Sequence, residues 1–125
     1  MVTTEDAVAP APPTVGWIVH YRLNEYDAVD INRRRDDFAA FQRLHRSDPS
    51  AYPAPGDAGA TGHVAHVGNR AAAGQVYPAV VVATWGTTPG CAVNLQVVLD
   101  GTDTYWATSR CGGDADGQWS WPPRV

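Results

Sequence analysis

The stretch that decides the fold is Cys91-Ala-Val-Asn-Leu-Gln-Val-Val-Leu-Asp-Gly-Thr-Asp-Thr-Tyr-Trp-Ala-Thr-Ser-Arg-Cys111. Asp100-Gly101 at its centre is typical of a tight β-hairpin turn, because glycine accepts the positive φ that such turns require. The next residues leave the loop length open between about two and four. A three-residue loop would set Leu95 opposite Ala107 and Val97 opposite Tyr105. This stretch therefore predicts both a hairpin and its register.

In that register the hairpin has two unlike faces, since side chains alternate along a strand. The apolar face holds Val93, Leu95, Val97, Tyr105 and Ala107, with Ser109 opposite Val93. The other face holds Asn94, Gln96, Trp106, Thr108 and Arg110, with Trp106 and Arg110 expected on the same side. An aromatic ring beside amides, a hydroxyl and a guanidinium is the chemistry that nucleobases and phosphates require.

These five residues are therefore the candidate ligand-binding residues. The alternative is that Trp106 packs under the tryptophans of the C-terminal tail and that the polar residues simply face solvent. The same register places Cys91 opposite Cys111, which makes a cross-strand disulfide geometrically conceivable. A cytoplasmic setting favours reduced thiols instead.

The composition limits the class of protein. The chain has 125 residues, 44% of them hydrophobic, which is enough for one domain with its own core. Its net charge of −4 argues against general nucleic-acid binding. No apolar run is long enough to cross a membrane and no signal peptide is recognisable, so we expect a cytoplasmic protein.

The N-terminal half predicts a leader, a strand and one long helix. Residues 1–14 contain three prolines between positions 10 and 13 and are expected to be disordered or extended. Residues 15–125 are expected to form a single α+β domain. Within it, residues 15–23 form the first strand, and Asn24 then caps a helix that reaches about Arg46. The three consecutive arginines of this helix, residues 33–35, read as an ordinary solvated face, because carboxylates lie at helical spacing from them.

The middle of the chain predicts loops around a second strong strand. Residues 47–62 are rich in Pro, Gly and Ala and should form a flexible loop, and residues 63–70 a short edge strand. The run 77–85 is apolar almost throughout, which favours burial on both faces. In the tail, Trp119 and Trp121 should share one face of an extended strand and cover the sheet near Trp17 or Trp85.

Together these segments predict an α+β fold: a small, strongly curved or barrel-like antiparallel sheet of about five strands with one long helix packed on it. The predicted core residues are Val80, Val82, Leu95, Val97, Leu99 and Phe38, together with Trp17 or Ile18.

No catalytic signature accompanies this fold. The histidines are scattered, neither cysteine belongs to a Cys-x-x-Cys pair, and no nucleophile motif or phosphate-binding glycine loop is present. We therefore expect a protein that is not an enzyme, without a metal site and without a cofactor.

Three segments carry a resemblance. They are Val19-His20-Tyr21 with Asp27-Ala28 and Ile31-Asn32-Arg33-Arg34; Gly68-Asn69 with Gly74-Gln75-Val76-Tyr77-Pro78-Ala79-Val80-Val81-Val82; and the hairpin strands with Gly117-Gln118-Trp119-Ser120-Trp121-Pro122. In these segments the chain resembles a family of small, largely uncharacterised proteins of actinobacterial phages and prophages. The resemblance implies a phage or mobile-element setting. By a weaker analogy it is similar to phage sponges, which sequester cyclic-nucleotide immune signals.

Two functions follow as hypotheses. The first is a non-enzymatic accessory protein that binds a small anionic or nucleotide-like ligand, as a homo-oligomer in the host cytoplasm. The second is a virion structural or assembly component, such as a decoration or connector protein.

Overall fold

A computed structural model describes residues 11–51 and 66–123. Along the chain the elements are β1 (Ile18–Arg22), α1 (Glu25–Ser47), β2 (Val76–Thr84), β3 (Val93–Val98), β4 (Thr104–Arg110) and β5 (Trp119–Ser120). The predicted α+β fold is confirmed. The expected leader and the 47–62 loop lie largely outside the described residues. Of their described parts, 11–14 and 48–51 hold no helix or strand, whereas Ser47 is still the last residue of α1.

The five strands form one antiparallel sheet in the order β4-β3-β2-β1-β5. Helix α1 joins β1 to β2 and packs on one face of this sheet. The sheet does not close into a barrel. A single parallel bridge between Gly112 and Trp119 ties the end of β4 to β5. The predicted edge strand at 63–70 is represented by one bridge, Gly68 with Gly101, and its first three residues lie outside the described chain.

The β3–β4 hairpin has the predicted register over most of its length. Leu95 pairs with Ala107 and Val97 with Tyr105, and all four side chains are buried. The register shifts beyond Leu95, so that Val93 pairs with Arg110 and not with Ser109. Ser109 at the shift has a φ of 55°, a conformation uncommon outside glycine. The strand therefore contains a β-bulge, which the sequence pattern does not reveal.

Helix α1 begins as predicted. The side chain of Asn24 accepts a hydrogen bond from the Asp27 backbone N–H (2.8 Å), and the Asp27 carboxylate accepts one from the Asn24 backbone N–H (3.0 Å). This reciprocal capping box satisfies two N–H groups that the first turn would otherwise leave unpaired. The helix buries Asp27, Ala28, Ile31 and Arg35, all in its first half. Phe38, predicted to be core, is only partly buried.

The core faces of β1 and β2 correct two predictions. In β1 the buried residues are Val19 and Tyr21, followed by Leu23, whereas Trp17 and Ile18 are exposed. In β2 the buried residues are Ala79 and Val81; Val80 is half-buried and Val82 is exposed.

Three consecutive valines give no alternation from which to choose a face in β2. The pairing decides it, because Val81 lies opposite the buried Leu95 of β3. Only one face of β2 is buried, since α1 covers one side of the sheet.

The tail lies as predicted. Trp119 is fully buried, and Trp121 packs edge-on against both Trp119 (ring centroids 5.7 Å apart) and Trp17 (5.2 Å). Strand β5 pairs with β1 through Tyr21 opposite Trp119. The indole N–H of Trp119 donates to the Cys91 carbonyl (3.3 Å), so the tail also holds the start of β3. The tail is thus an integral edge of the sheet.

Replacing Leu95 by Ala should lower the free energy of unfolding by about 2–5 kcal/mol, the usual cost of truncating a buried leucine. Val98→Ala is the matched control, because Val98 lies in the same strand but is exposed. Chemical denaturation of both variants measures the difference. A loss below about 0.5 kcal/mol in Leu95→Ala would contradict the assignment of the core face.

Truncation after Gly117 should unfold the domain, because it removes Trp119, whose side chain buries about 150–250 Å², together with its ring contacts to Trp121. Circular dichroism and thermal denaturation of the shortened chain are the measurements. An unchanged melting temperature would mean that the tail is a detachable arm.

Candidate ligand-binding face

The sheet face opposite α1 is uncovered by any described residue, and a row of paired side chains crosses it. Ile18 pairs with Val80, Val80 with Gln96, and Gln96 with Trp106. We call this surface the open face. It comprises the four residues of this row together with Val82, Asn94, Val98 and Trp85. The indole N–H of Trp85 donates to the Asn94 side-chain oxygen (3.1 Å).

Trp106 stands out on the open face, with 60% of its surface exposed. The described tryptophans that stack on each other are Trp17, Trp119 and Trp121. Trp106 therefore does not pack under the tail tryptophans, so that part of the alternative is wrong. Gln96 lies directly opposite it, as predicted.

The amides beside Trp106 have their oxygens occupied. Gln96 Oε1 accepts from the Thr104 hydroxyl (3.0 Å), while Asn94 Oδ1 accepts from Trp85 Nε1 and from the Ser109 backbone N–H (2.9 Å). No described residue accepts from either side-chain NH₂ group. The open face therefore offers hydrogen-bond donors to a ligand. Thr108 is exposed, but the bulge separates it from the predicted pairing with Asn94.

Arg110 does not join this site. Its Nη2 donates to Asp27 Oδ1 (2.9 Å), and its guanidinium lies 5.8 Å from the centre of the Tyr21 ring, on the helix side of the sheet. The bulge at Ser109 adds one residue to β4 and turns Arg110 to the face opposite Trp106. The prediction that Trp106 and Arg110 project to the same side is wrong.

Asp27 is the centre of the cluster that captures Arg110. The carboxylate is fully buried and accepts hydrogen bonds from the Tyr21 hydroxyl (2.5 Å), from Arg110 and from the Asn24 backbone. Burial, with the hydrogen bond to Asp27 and its negative charge, raises the pKa of the Tyr21 hydroxyl well above its ordinary value. Burial and the charge of Asp27 also raise the pKa of Tyr105, to about 12.

A second ionic cluster ties the hairpin turn to the helix. Asp103 accepts from Arg35 Nη1 (2.9 Å) and from Arg34 Nη1 (3.2 Å), and its carboxylate lies 3.2 Å from His66 Nδ1. Burial opposes ionisation of Asp103, but hydrogen bonds from Arg35, Arg34 and His66 and the charge of Arg35 lower its pKa overall. The side chain of Arg35 is buried, so the reading of residues 33–35 as a solvated face holds only for Arg33.

The buried Arg35 also explains why positions 68 and 101 are glycines. A Cβ on Gly68 or Gly101 would lie within 3.0 Å of Arg35 Nη2 and of the facing backbone. The glycines thus let two loops close around a buried guanidinium. The sequence signals this only weakly, since an arginine among three looks exposed.

Two further features lie outside the open face and the ionic clusters: a depression beside the tail and the two cysteines. A depression of about 250 Å³ is lined by Pro89, Gly90, Gly112, Gly113, Trp119, Ser120 and Trp121. Its walls carry no ionisable side chain. Cys91 is buried and Cys111 exposed, and both are free thiols, because the bulge removes the predicted opposition.

Within the described part of the chain, no group of three His, Cys, Asp or Glu side chains is placed to hold a metal ion. The only helix there is too polar to span a bilayer. No protein-family model, curated protein or solved structure matches this chain.

Arg110→Ala should destabilise the protein by about 3–5 kcal/mol, because it leaves the buried Asp27 carboxylate without its cationic partner. Denaturation of this variant, of Asp27→Asn and of the double variant forms a mutant cycle. The double variant should lose less than the sum of the single losses. Additive losses would show that the two groups are not coupled.

Asp103 should make the free energy of unfolding depend on pH in the acid range. Because its folded pKa lies below the ordinary value of 3.8, its stabilising effect is present above that value and is lost as the pH falls through the folded pKa. The free energy of unfolding of Asp103→Asn should therefore approach that of the natural chain below about pH 4. Asp114→Asn, in an exposed loop, is the control. A constant difference at all pH values would contradict the expectation.

Proposed function

We propose that this chain is a non-enzymatic binding protein that holds a planar, acceptor-rich ligand of the nucleotide class against Trp106. The observation that carries the proposal is an exposed indole on an uncovered sheet face, flanked by two amides with free NH₂ groups. Stacking on an aromatic ring binds any nucleobase, and the amide donors suit carbonyl and ring-nitrogen acceptors at its edge.

The geometry changes how an anionic group would be held. Arg110 is engaged by Asp27 on the other side of the sheet, so it does not provide a phosphate contact. The NH₂ groups of Asn94 and Gln96 take that role. In the phage setting implied by the resemblance, such a protein would act as an accessory factor that sequesters a cyclic-nucleotide signal.

A second candidate, a virion assembly component, is supported by the breadth of the open face. Ile18 is 59% exposed, Val98 44% and Val82 39%. Several exposed apolar side chains on one side of a sheet are typical of a protein–protein contact. Stoichiometric presence of the chain in purified virions would support this candidate.

The ligand proposal is tested with purified protein. Small molecules released on denaturation are identified by mass spectrometry, and mononucleotides and cyclic dinucleotides are titrated while intrinsic tryptophan fluorescence is followed. Trp106→Ala should weaken binding by about 5–150-fold, the loss expected when one stacked base loses its ring. Its thermal stability should change little, because the ring is exposed.

Tyr26→Ala is the control, since Tyr26 is an aromatic residue on α1 that is even more exposed than Trp106 and lies away from the open face. It should bind as the natural chain does. Absence of nucleotide binding, or equal binding by Trp106→Ala, would refute the ligand proposal.

A further inference from the structure

We propose that the open face is the contact surface between two copies of this chain, which pack face to face about a two-fold axis. The inference rests on the same uncovered face as the proposed function and names the macromolecule that covers it. It does not depend on a bound nucleotide.

The first argument is that the described residues cover only one side of the sheet. Helix α1 covers one side of the sheet, while the other side presents Ile18, Val82, Val98, Trp85 and Trp106 to solvent. An antiparallel sheet with a solvated face normally places polar side chains there. Here Ile18, Val80, Val82, Val98 and Trp106 lie on that side among polar residues such as His20, Arg22 and Gln96. Four of these five apolar side chains are exposed, and a second layer would bury them.

The second argument is charge. The chain carries a net charge of −4, yet its five described strands contain no Asp or Glu. The acidic residues of the described chain lie on α1 and in loops, for example Asp36, Asp100 and Asp114. Two copies repel each other through most surfaces, but the open face brings together no carboxylates. A two-fold interface needs such a self-complementary surface, because each patch meets its own copy.

The third argument is area. Four strands at about 4.8 Å spacing and six residues at about 3.3 Å give a flat area of roughly 400 Å². Side chains that stand out from the sheet increase the accessible area above this value, and Trp85 and Trp106 are both more than half exposed. A standard interface buries about 800 Å² per partner. The open face is therefore within a factor of about two of what a standard dimer interface buries per partner.

The fourth argument is that the sheet edges are unsuited to the alternative, edge-to-edge pairing. Strand β5 has two residues and is followed by Pro122-Pro123, which cannot donate to a further strand. Strand β4 ends in the bulge at Ser109, and at its start Arg34 occupies the Thr104 carbonyl (2.9 Å). Bulges, short strands and blocked carbonyls protect edges against pairing. Association is directed to the face.

A face-to-face dimer would also enclose the proposed nucleotide site on its open side. Trp106 lies near one end of the row that begins at Ile18. Around a two-fold axis through the centre of the row, Trp106 of one copy approaches Ile18 of the other. A base stacked on Trp106 would then be enclosed at the margin of the dimer.

The test is sedimentation velocity and light scattering of the full chain across about 1–200 μM, a range that covers typical weak to moderate homodimers. The natural chain should be a dimer at the upper end. Val98→Glu places a carboxylate on each copy of the face and should weaken dimerisation by about 100-fold or more, because like charges then meet across a desolvated contact. Val29→Glu, which adds the same charge at an exposed position of α1, should dimerise as the natural chain does.

Circular dichroism and thermal denaturation establish that each variant is folded. If Val98→Glu unfolds, Val98→Thr replaces it, because threonine keeps a β-branched side chain. Hydrogen–deuterium exchange of β2 and β3 in the natural chain, measured at low and high protein concentration, then reports whether a second copy covers the face. A chain that stays monomeric, or a dimer that Val98→Glu does not affect while Val29→Glu does, would overturn the inference. A monomer that binds nucleotide would leave the ligand proposal standing, and a dimer without nucleotide binding would leave only this inference.

Discussion

The structure depends on one buried carboxylate. Asp27 caps the first turn of α1, accepts a hydrogen bond from the Tyr21 hydroxyl in β1, and pairs with Arg110 at the end of β4. A buried charge is costly unless it is paired and hydrogen-bonded, and here one side chain meets this requirement by joining three elements. The position of the helix on the sheet follows, since the residues that the helix buries lie in its first half, next to Asp27.

The bulge in β4 is the second constraint, because it determines which residues share a face. Before the bulge, the hairpin alternates as its sequence predicts. After it, Arg110 turns towards the helix, and Cys91 and Cys111 no longer oppose each other. The left-handed conformation of Ser109 costs free energy, and the same bulge lets Arg110 reach Asp27. The bulge thus removes a cation from the open face and places it in the buried cluster.

The open face is presented by a stiff scaffold. At one end of the hairpin, Asp103 binds Arg34 and Arg35 of the helix; at the other end, Trp119 holds Cys91 through its indole N–H. Sites on strands fixed at both ends keep their geometry better than sites on loops. Both proposals, a stacked ligand and a second copy, require such a surface, with exposed aromatic rings and without carboxylates. The two proposals differ in the area of this surface that the partner would cover. A face-to-face dimer could hold a stacked base at its margin, so the proposals are compatible.

The sequence alone determined the α+β class, the Asn24–Asp27 cap, the hairpin register between Leu95 and Tyr105, and the shared face of the tail tryptophans. These are local properties: turn chemistry, capping and alternation act over a few residues. Only the tertiary structure decided which valines of β2 are core, that Arg35 is buried, and that Arg110 leaves the ligand face. Each of these depends on a partner in another element. Val81 pairs with Leu95 of β3, Arg35 binds Asp103 beside the hairpin turn, and Arg110 binds Asp27 of the helix. For the valines the reason is uniformity, since a run without alternation has no preferred face until a neighbouring strand fixes its register.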